Sequence, residues 1–146
     1  MLTHNAINYF DIMGKAKKSY ARRMEPICSR WGLTQNELDV ILFLHNNPDF
    51  DRAVDIVERR GIAKSHVSLS VNALEGKELL QRRFSPEDRR TAHLKLTETG
   101  IQIARDGQKA QKAYFDRIFA DLTHEEFAAW RAIMEKVCCN IANLEE

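Results

Sequence analysis

The chain has 146 residues, of which 44% are hydrophobic and 29% charged, with a formal net charge of +1. This length and composition exclude a disordered chain and predict one globular domain, or one domain with long dimerising extensions. No apolar run approaches the roughly 20 residues of a membrane-spanning helix, and the N-terminus lacks a basic segment followed by an apolar block, so we expect a cytoplasmic protein.

The N-terminal segment predicts a long amphipathic helix, because apolar side chains recur at steps of three and four residues up to Trp31. Pro26 should kink this helix or remove a hydrogen bond near its end, and Gly32 suits the turn that ends it. A capping box from Thr34 to Glu37 then starts a second helix, which ends at the turn-forming run NNPD.

A short third helix is expected over about residues 52–60, with Asp51 as its N-cap and Gly61 at its end. A fourth helix begins near residue 64 and carries one apolar stripe at steps of four and three residues. The stripe consists of Val67, Val71 and Leu74.

The opposite face of the fourth helix carries small or hydrogen-bonding side chains, where exposed helices usually carry Glu and Lys. Its residues are Lys64, Ser65, His66, Ser68, Leu69 and Asn72. Short polar side chains let a helix approach groups that have hydrogen-bond donors and acceptors. The major groove of DNA is wide enough for a helix and presents such a pattern on its base edges.

Two strands, LLQRRF and AHLKLT, follow this helix and are joined by the turn SPEDRRT. Alternation puts the two leucines of the second strand on one face. Four arginines surround the turn, Arg82 and Arg83 in the first strand and Arg89 and Arg90 in the turn itself. A contact between Asp88 and Arg90 would hold this turn rigid.

Basic charge is concentrated around this hairpin although the whole chain is nearly neutral. Residues 52–95 contain ten Lys or Arg and six Asp or Glu, a net charge of +4, whereas residues 116–146 carry −4. A local basic segment is expected where a chain meets a polyanion.

A long helix should follow from the cap at Thr97 to roughly Ala120, and a second capping box from Thr123 to Glu126 starts the last helix. The last helix has an apolar seam that favours a partner helix. The seam consists of Phe127, Trp130, Met134, Val137, Ile141 and Leu144. We expect homodimerisation through the helical regions 1–32 and 100–146.

Three helices with a tight turn, followed by a β-hairpin, predict a winged helix-turn-helix lobe over residues 33–99 within a mainly α protein (α+β). In that arrangement the last helix of the trio enters the major groove and the hairpin tip reaches the minor groove. Ser65, His66, Ser68 and Asn72 would read bases, whereas Arg82 and Arg83 would contact the backbone. Arg89 and Arg90 would lie at phosphates and in the minor groove.

The hairpin SPEDRRTAHLKLTETG resembles the wing signature of the MarR/SlyA regulators, an Asp-x-Arg turn followed by Leu-Thr-x-x-Gly. The segments KSHVSLSVNALEGKELLQRR and WGLTQNELDVILFL resemble the recognition helix and the start of the second helix in that family. The resemblance spans most of the chain. It implies a homodimer that binds pseudo-palindromic double-stranded DNA operators, usually as a repressor, and that is released by a small aromatic or phenolic effector or by oxidation.

Effectors of the family generally bind where the dimerisation helices meet the DNA-binding lobe. In this sequence the resemblance implies an effector pocket that includes Tyr20, Met24, Ile27, Trp31, Leu42 and His45. Two positions depart from the family pattern. Leu69 stands where arginine is frequent, which removes one expected phosphate or base contact. Glu78 stands where glycine is usual after the recognition helix, which predicts that the helix ends sooner or with strain, at a cost of about 1 kcal/mol.

The three cysteines, Cys28, Cys138 and Cys139, do not form a disulfide framework, and no Cys or His spacing suggests zinc. We expect reduced thiols, no metal and no cofactor. We also expect no enzyme activity, because the sequence shows no nucleophile–base pair, glycine-rich phosphate loop or metal set. One alternative stays open: a ligand- or thiol-redox-responsive dimeric sensor that acts through protein partners with weak or no DNA binding.

Overall fold

The computed structural model describes the backbone of residues 2–144 and the side chains of residues 8–144. These residues form six helices and one antiparallel hairpin. In chain order the elements are α1 (Leu2–Trp31), α2 (Gln35–Asn46), α3 (Ala53–Arg60), α4 (Lys64–Gly76), β1 (Leu80–Arg83), β2 (His93–Leu96), α5 (Glu98–Ile118) and α6 (His124–Ala142). The predicted mainly α fold with a hairpin wing is confirmed. Residue 1 and residues 145–146 of the predicted helical regions lie outside the described residues.

The chain divides into two compact units, Met1–Gln111 and Lys112–Glu146. The first unit contains α1 to α4, the hairpin and most of α5. The second contains the end of α5 and all of α6. The assignment of residues 1–32 and 100–146 to a dimerisation region stays a prediction.

The hydrophobic core of the first unit is built from α1, α2, α3, α4, the hairpin and the first part of α5. Its fully buried side chains include Met24, Leu38, Ile41, Leu42, Ile56, Leu80 and Ile103. The predicted stripe of α4 is confirmed, because Val67, Val71 and Leu74 are all at most 2% exposed. Full burial of one such side chain contributes about 1.5–3 kcal/mol, so this core fixes α4 and the hairpin against α2.

The helix ends follow the local signals in the sequence. Thr34 Oγ1 accepts the N–H of Glu37 at 3.2 Å, and the Glu37 carboxylate accepts the N–H of Thr34 at 3.3 Å. The capping box of Thr123 and Glu126 starts α6 in the same way. Helix α1 runs through Pro26, and Gly32 ends it with a φ of 63°. Both predicted capping boxes and the predicted glycine turn are confirmed.

The predicted N-cap of α3, Asp51, is wrong. Arg52 holds that position, and the Asp55 carboxylate accepts both the backbone N–H of Arg52 at 3.0 Å and its guanidinium at 2.8 Å. Asp51 instead contacts the wing, because its Oδ1 lies 2.7 Å from His93 Nδ1. The end of α3 at Gly61, with a φ of 64°, is as predicted.

The two strands pair in a register that places Leu80 opposite Leu96 and Arg83 opposite His93. Leu94 and Leu96 are 5% and 9% exposed, so the alternation predicted for β2 is confirmed. Their burial anchors the hairpin on the core, and the arginine-rich turn extends from this anchored base.

Lys77 fastens the end of α4 to the turn between α1 and α2. Its Nζ donates to the carbonyl oxygen of Gly32 at 2.8 Å and to the Glu37 carboxylate at 2.6 Å. Glu37 is buried, and a buried carboxylate requires partners of this kind. The same carboxylate therefore serves the capping box of α2 and the contact with α4.

Helix α4 ends in a Schellman motif. Leu79 N–H donates to the Leu74 carbonyl at 2.9 Å, and Glu78 N–H donates to the Glu75 carbonyl at 3.0 Å. Glu78 takes the left-handed position of this motif, with a φ of 58°. A residue with a Cβ is strained there, which confirms the strain predicted from the missing glycine.

Replacing Glu78 with glycine is expected to raise the free energy of unfolding by about 1 kcal/mol. Glycine has no Cβ, so it adopts the left-handed conformation without the steric strain that Glu78 carries there. Urea denaturation of both proteins measures the difference. The control is Glu78→Ala, which removes the same carboxylate but keeps a Cβ in the left-handed conformation, so it should bring no such gain. A Glu78→Gly protein no more stable than the parent would contradict the prediction.

Candidate nucleic-acid interface

The predicted reading face of α4 is free of contacts with the core. Its six residues, Lys64, Ser65, His66, Ser68, Leu69 and Asn72, are all exposed. The other side of the helix is buried. Leu69 is 67% exposed, and an apolar side chain held out from such a helix suits contact with the methyl group of thymine.

The two arginines of β1 differ in their surroundings. Arg82 Nη2 donates to Asn72 Oδ1 at 2.6 Å, and its Nη1 pairs with the Glu75 carboxylate. Arg83 is exposed, and its Nη2 donates to Gln81 Oε1 at 3.2 Å. The structure therefore brings Arg82 against α4 and leaves the charge of Arg83 at the surface.

The wing turn is held by its own polar groups. Asp88 Oδ1 accepts the N–H of Arg90 at 2.9 Å and that of Thr91 at 3.3 Å, and Asp88 N–H donates to Ser85 Oγ at 3.0 Å. The contact expected between Asp88 and Arg90 therefore uses the backbone of Arg90. The guanidinium groups of Arg89 and Arg90 are exposed and pair with no side chain among residues 8–144.

The pKa of Asp88 is lowered because its carboxylate accepts hydrogen bonds from Thr91 and from the N–H of Arg90. A lowered pKa means that these bonds stabilise the turn above the ordinary pKa of aspartate, and that they are lost as the pH falls through the lower folded value. NMR titration of the Asp88 carboxyl group should give this lowered pKa, and Thr91→Val should move it back toward the ordinary value. An ordinary pKa for Asp88 in the parent would contradict the prediction.

The predicted effector-pocket residues separate into two groups. Met24 and Leu42 are fully buried in the core, and Tyr20, Ile27 and Trp31 pack against it. The Tyr20 hydroxyl accepts a hydrogen bond from Gln111 Nε2 at 2.7 Å, and burial raises the pKa of Tyr20. His45, in contrast, lines an open cleft of about 370 Å³.

This cleft lies where the end of α2, the hairpin and the start of α5 meet. The sequence indicated only His45 as an effector residue there. The other side chains around the cleft include Arg83, His93, Leu94, Lys95 and Leu96. Their proximity depends on how the hairpin packs against α2, for which the sequence contains no local signal.

The cysteines do not gather at this interface. Cys28 is buried, and its pKa is raised by that burial and by nearby carboxylates. Because the thiolate is the reactive form, a raised pKa makes this thiol less reactive at neutral pH. Cys138 and Cys139 are exposed on α6. Among the described residues, no group of His, Cys, Asp and Glu is arranged to hold a metal ion, and no helix combines the length and apolarity of a membrane span.

Comparisons of the sequence with protein families and with characterised proteins point to the same family. Residues 31–91 match the model of the MarR family. The chain is 27% identical, over 95% of both chains, to the HTH-type transcriptional regulator MhqR of Bacillus subtilis (strain 168). It is 32% identical to the HTH-type transcriptional repressor MdtR of the same organism, over 65% of this chain and 61% of that protein.

Two solved structures share the fold. The S. aureus MepR–DNA complex has a TM-score of 0.75 at 18% identity and covers 93% of this chain and 95% of its own. A structure that addresses the regulation of DNA binding of Bordetella bronchiseptica BpsR by 6-hydroxynicotinic acid has a TM-score of 0.70 at 19% identity, over 90% of this chain and 98% of its own. The family model over residues 31–91, a relative of similar length and the common winged-helix architecture all support a winged-helix regulator of the MarR family.

Proposed function

We propose that the protein is a homodimeric transcriptional repressor that places α4 in the major groove of a pseudo-palindromic operator and the wing in the adjacent minor groove. The observation that carries this proposal is the fully exposed polar face of α4 beside an anchored hairpin with free guanidinium groups at its turn. The MepR structure with DNA and the naming of MdtR as a repressor support it.

The side chains divide by the part of the duplex that they would meet. Ser65, His66, Ser68 and Asn72 supply donors and acceptors for base edges, and Leu69 suits the thymine methyl group. Lys64 and Arg83 carry charge for the phosphates, which position the protein without reading sequence. Arg89 and Arg90 fit the narrow minor groove, whose negative potential attracts arginine.

The proposed dimer would cover apolar side chains that the single chain leaves exposed. On α6, Trp130, Ile133 and Ile141 are 40%, 59% and 49% exposed. On α1, Phe10 is 73% exposed and Ile12 is 63% exposed. Exposed apolar side chains on a helix face of this kind mark an interaction site, and a twofold dimer would place two α4 helices on successive major grooves.

We also propose that a small aromatic acid or phenol binds in the cleft beside His45 and releases the DNA. The cleft is lined by apolar side chains that include Leu94 and Leu96 and by the basic side chains of Arg83, His93 and Lys95, with Asp51 bonded to His93. Its volume suits a small ligand. Since Arg83 is also a proposed phosphate contact, the effector and the operator would compete for it. Regulation of BpsR by 6-hydroxynicotinic acid supports this ligand class. The effector must prefer a dimer whose α4 helices are wrongly spaced, since only differential affinity shifts an equilibrium.

Selection of bound sequences from random duplexes tests the repressor proposal. We expect enrichment of a pseudo-palindrome whose half-sites lie about one helical turn, ~34 Å, apart. Phenols and aromatic acids should then displace the selected duplex, and Lys95→Met should weaken that displacement more than it weakens DNA binding. A stable dimer that enriches no duplex would overturn the proposal in favour of a sensor that acts through protein partners.

A further inference from the structure

Arg82 forms two bonds to one face of α4. Its guanidinium donates to Asn72 Oδ1 at 2.6 Å and pairs with the Glu75 carboxylate. Asn72 and Glu75 are three residues apart on the helix, so they lie side by side. A single side chain of β1 therefore links the wing to the proposed reading face of α4.

The bond to Arg82 determines how the Asn72 carboxamide is oriented. A guanidinium has donors and no acceptor, so the Asn72 atom that it contacts must be the carbonyl oxygen. The amide nitrogen, with two N–H donors, is the end available to a further partner, and the side chain is exposed. An asparagine whose carboxamide is free to turn can bind adenine through both of its polar atoms. Its amide nitrogen donates to adenine N7, and its carbonyl oxygen accepts from the adenine N6 amino group.

The charge of Arg82 is already balanced within the protein. The Arg82 and Glu75 side chains are 29% and 42% exposed, and their opposite charges meet directly. A neutral pair displaces few counterions from DNA, whereas an unpaired cation on a phosphate displaces nearly one. Arg83, which is bonded to the neutral side chain of Gln81, keeps its full charge for such a contact.

We propose that Arg82 is a positioning residue that turns the Asn72 amide outward as a donor, so that the operator base facing Asn72 is guanine in preference to adenine. Guanine presents two acceptors, N7 and O6, in the major groove, whereas adenine presents one acceptor and one amino donor. The adenine donor would have to reach the Asn72 oxygen, which is turned toward Arg82, whereas both guanine acceptors can meet the amide nitrogen on the other side. This inference rests on the proposed DNA-binding function and gives Arg82 a role other than the predicted backbone contact.

Selection from random duplexes with the parent and its variants tests the inference. Asn72→Ala identifies the operator position read by Asn72, because that position loses its base preference. There the parent should prefer guanine over adenine by about fivefold or more. In Arg82→Met, which has no donor, this ratio should fall to within about twofold, while the slope of log affinity against log salt stays unchanged.

Arg83→Met is the matched comparison, since it removes the neighbouring arginine of the same strand. It should keep the guanine preference and reduce the magnitude of the salt slope by about 0.9. Arg82→Lys retains the charge but not the fork that reaches both partners, so it should also lose the guanine preference. Thermal unfolding checks that each variant is folded, and Arg82→Lys carries the test if Arg82→Met is not.

Three results would overturn the inference. A parent preference for adenine at the Asn72 position would show that its oxygen is free to accept. A reduced salt slope in Arg82→Met with an unchanged base preference would show a phosphate contact instead. If the parent enriches no duplex at all, the proposed DNA-binding function itself fails, and the role of Arg82 in base selection fails with it.

Discussion

Replacing Arg90 with alanine is expected to weaken binding to a selected operator by about 1–3 kcal/mol and to reduce the dependence of binding on salt. The loss should be large because the bond from the backbone of Arg90 to Asp88 fixes the turn and leaves the guanidinium exposed. Because the backbone of the turn is already fixed, it loses little conformational entropy when the wing enters the minor groove. Fluorescence anisotropy with a labelled duplex at several salt concentrations measures both quantities.

Two further variants separate charge from shape. Arg23→Ala removes one exposed arginine from α1, outside the proposed interface, and should leave operator affinity nearly unchanged. Arg90→Lys keeps the charge but loses the planar group that narrow minor grooves favour, and should give an intermediate affinity. An Arg90→Ala protein that binds as tightly as the parent at moderate salt would show that the minor-groove role is wrong.

Replacing Gly100 with alanine is expected to lower the free energy of unfolding by about 1–3 kcal/mol. A Cβ at this position would lie 2.3 Å from the carbonyl oxygen of Leu79. That oxygen accepts the N–H of Thr97 at 3.1 Å, so it cannot move without disturbing the junction of α4, the hairpin and α5. The clash outweighs the gain in helix propensity that alanine normally brings.

Gly76→Ala is the control for this prediction. Gly76 is also helical, and a Cβ there meets no atom within 4 Å, so alanine should stabilise the protein or leave it unchanged. Urea denaturation of the three proteins gives the comparison. Equal stabilities for the two variants would show that the approach of Leu79 does not require glycine. The close approach is a physical reason for the final glycine in the Leu-Thr-x-x-Gly pattern of the wing.

Features coded by neighbouring residues could be predicted from the sequence. Both capping boxes, the glycine turn at Gly32 and the buried stripe of α4 follow from side chains within one or two helical turns of each other. The left-handed Glu78 also belongs to this class, because the family pattern indicated a glycine there. Local hydrogen bonds and periodic burial determine such features almost independently of the rest of the chain.

Features that depend on packing between distant segments could not be predicted. Asp51 was assigned to a helix cap because aspartate is common there, but Arg52 and Asp55 already close that helix start, and Asp51 bonds to His93 of the wing. The backbone contact predicted for Arg82 stays a prediction, and the bond of Arg82 to Asn72 follows from the packing of β1 on α4, which has no local signal in the sequence.

The contact of Lys77 with the Gly32 carbonyl and Glu37 has a mechanical consequence. It links the C-terminal end of α4 to the C-terminal end of α1, so a tilt of α1 would move α4 with it as one rigid body. In the proposed dimer, a change in the spacing of the two α4 helices would then rotate each such rigid body as a whole, without altering its internal geometry.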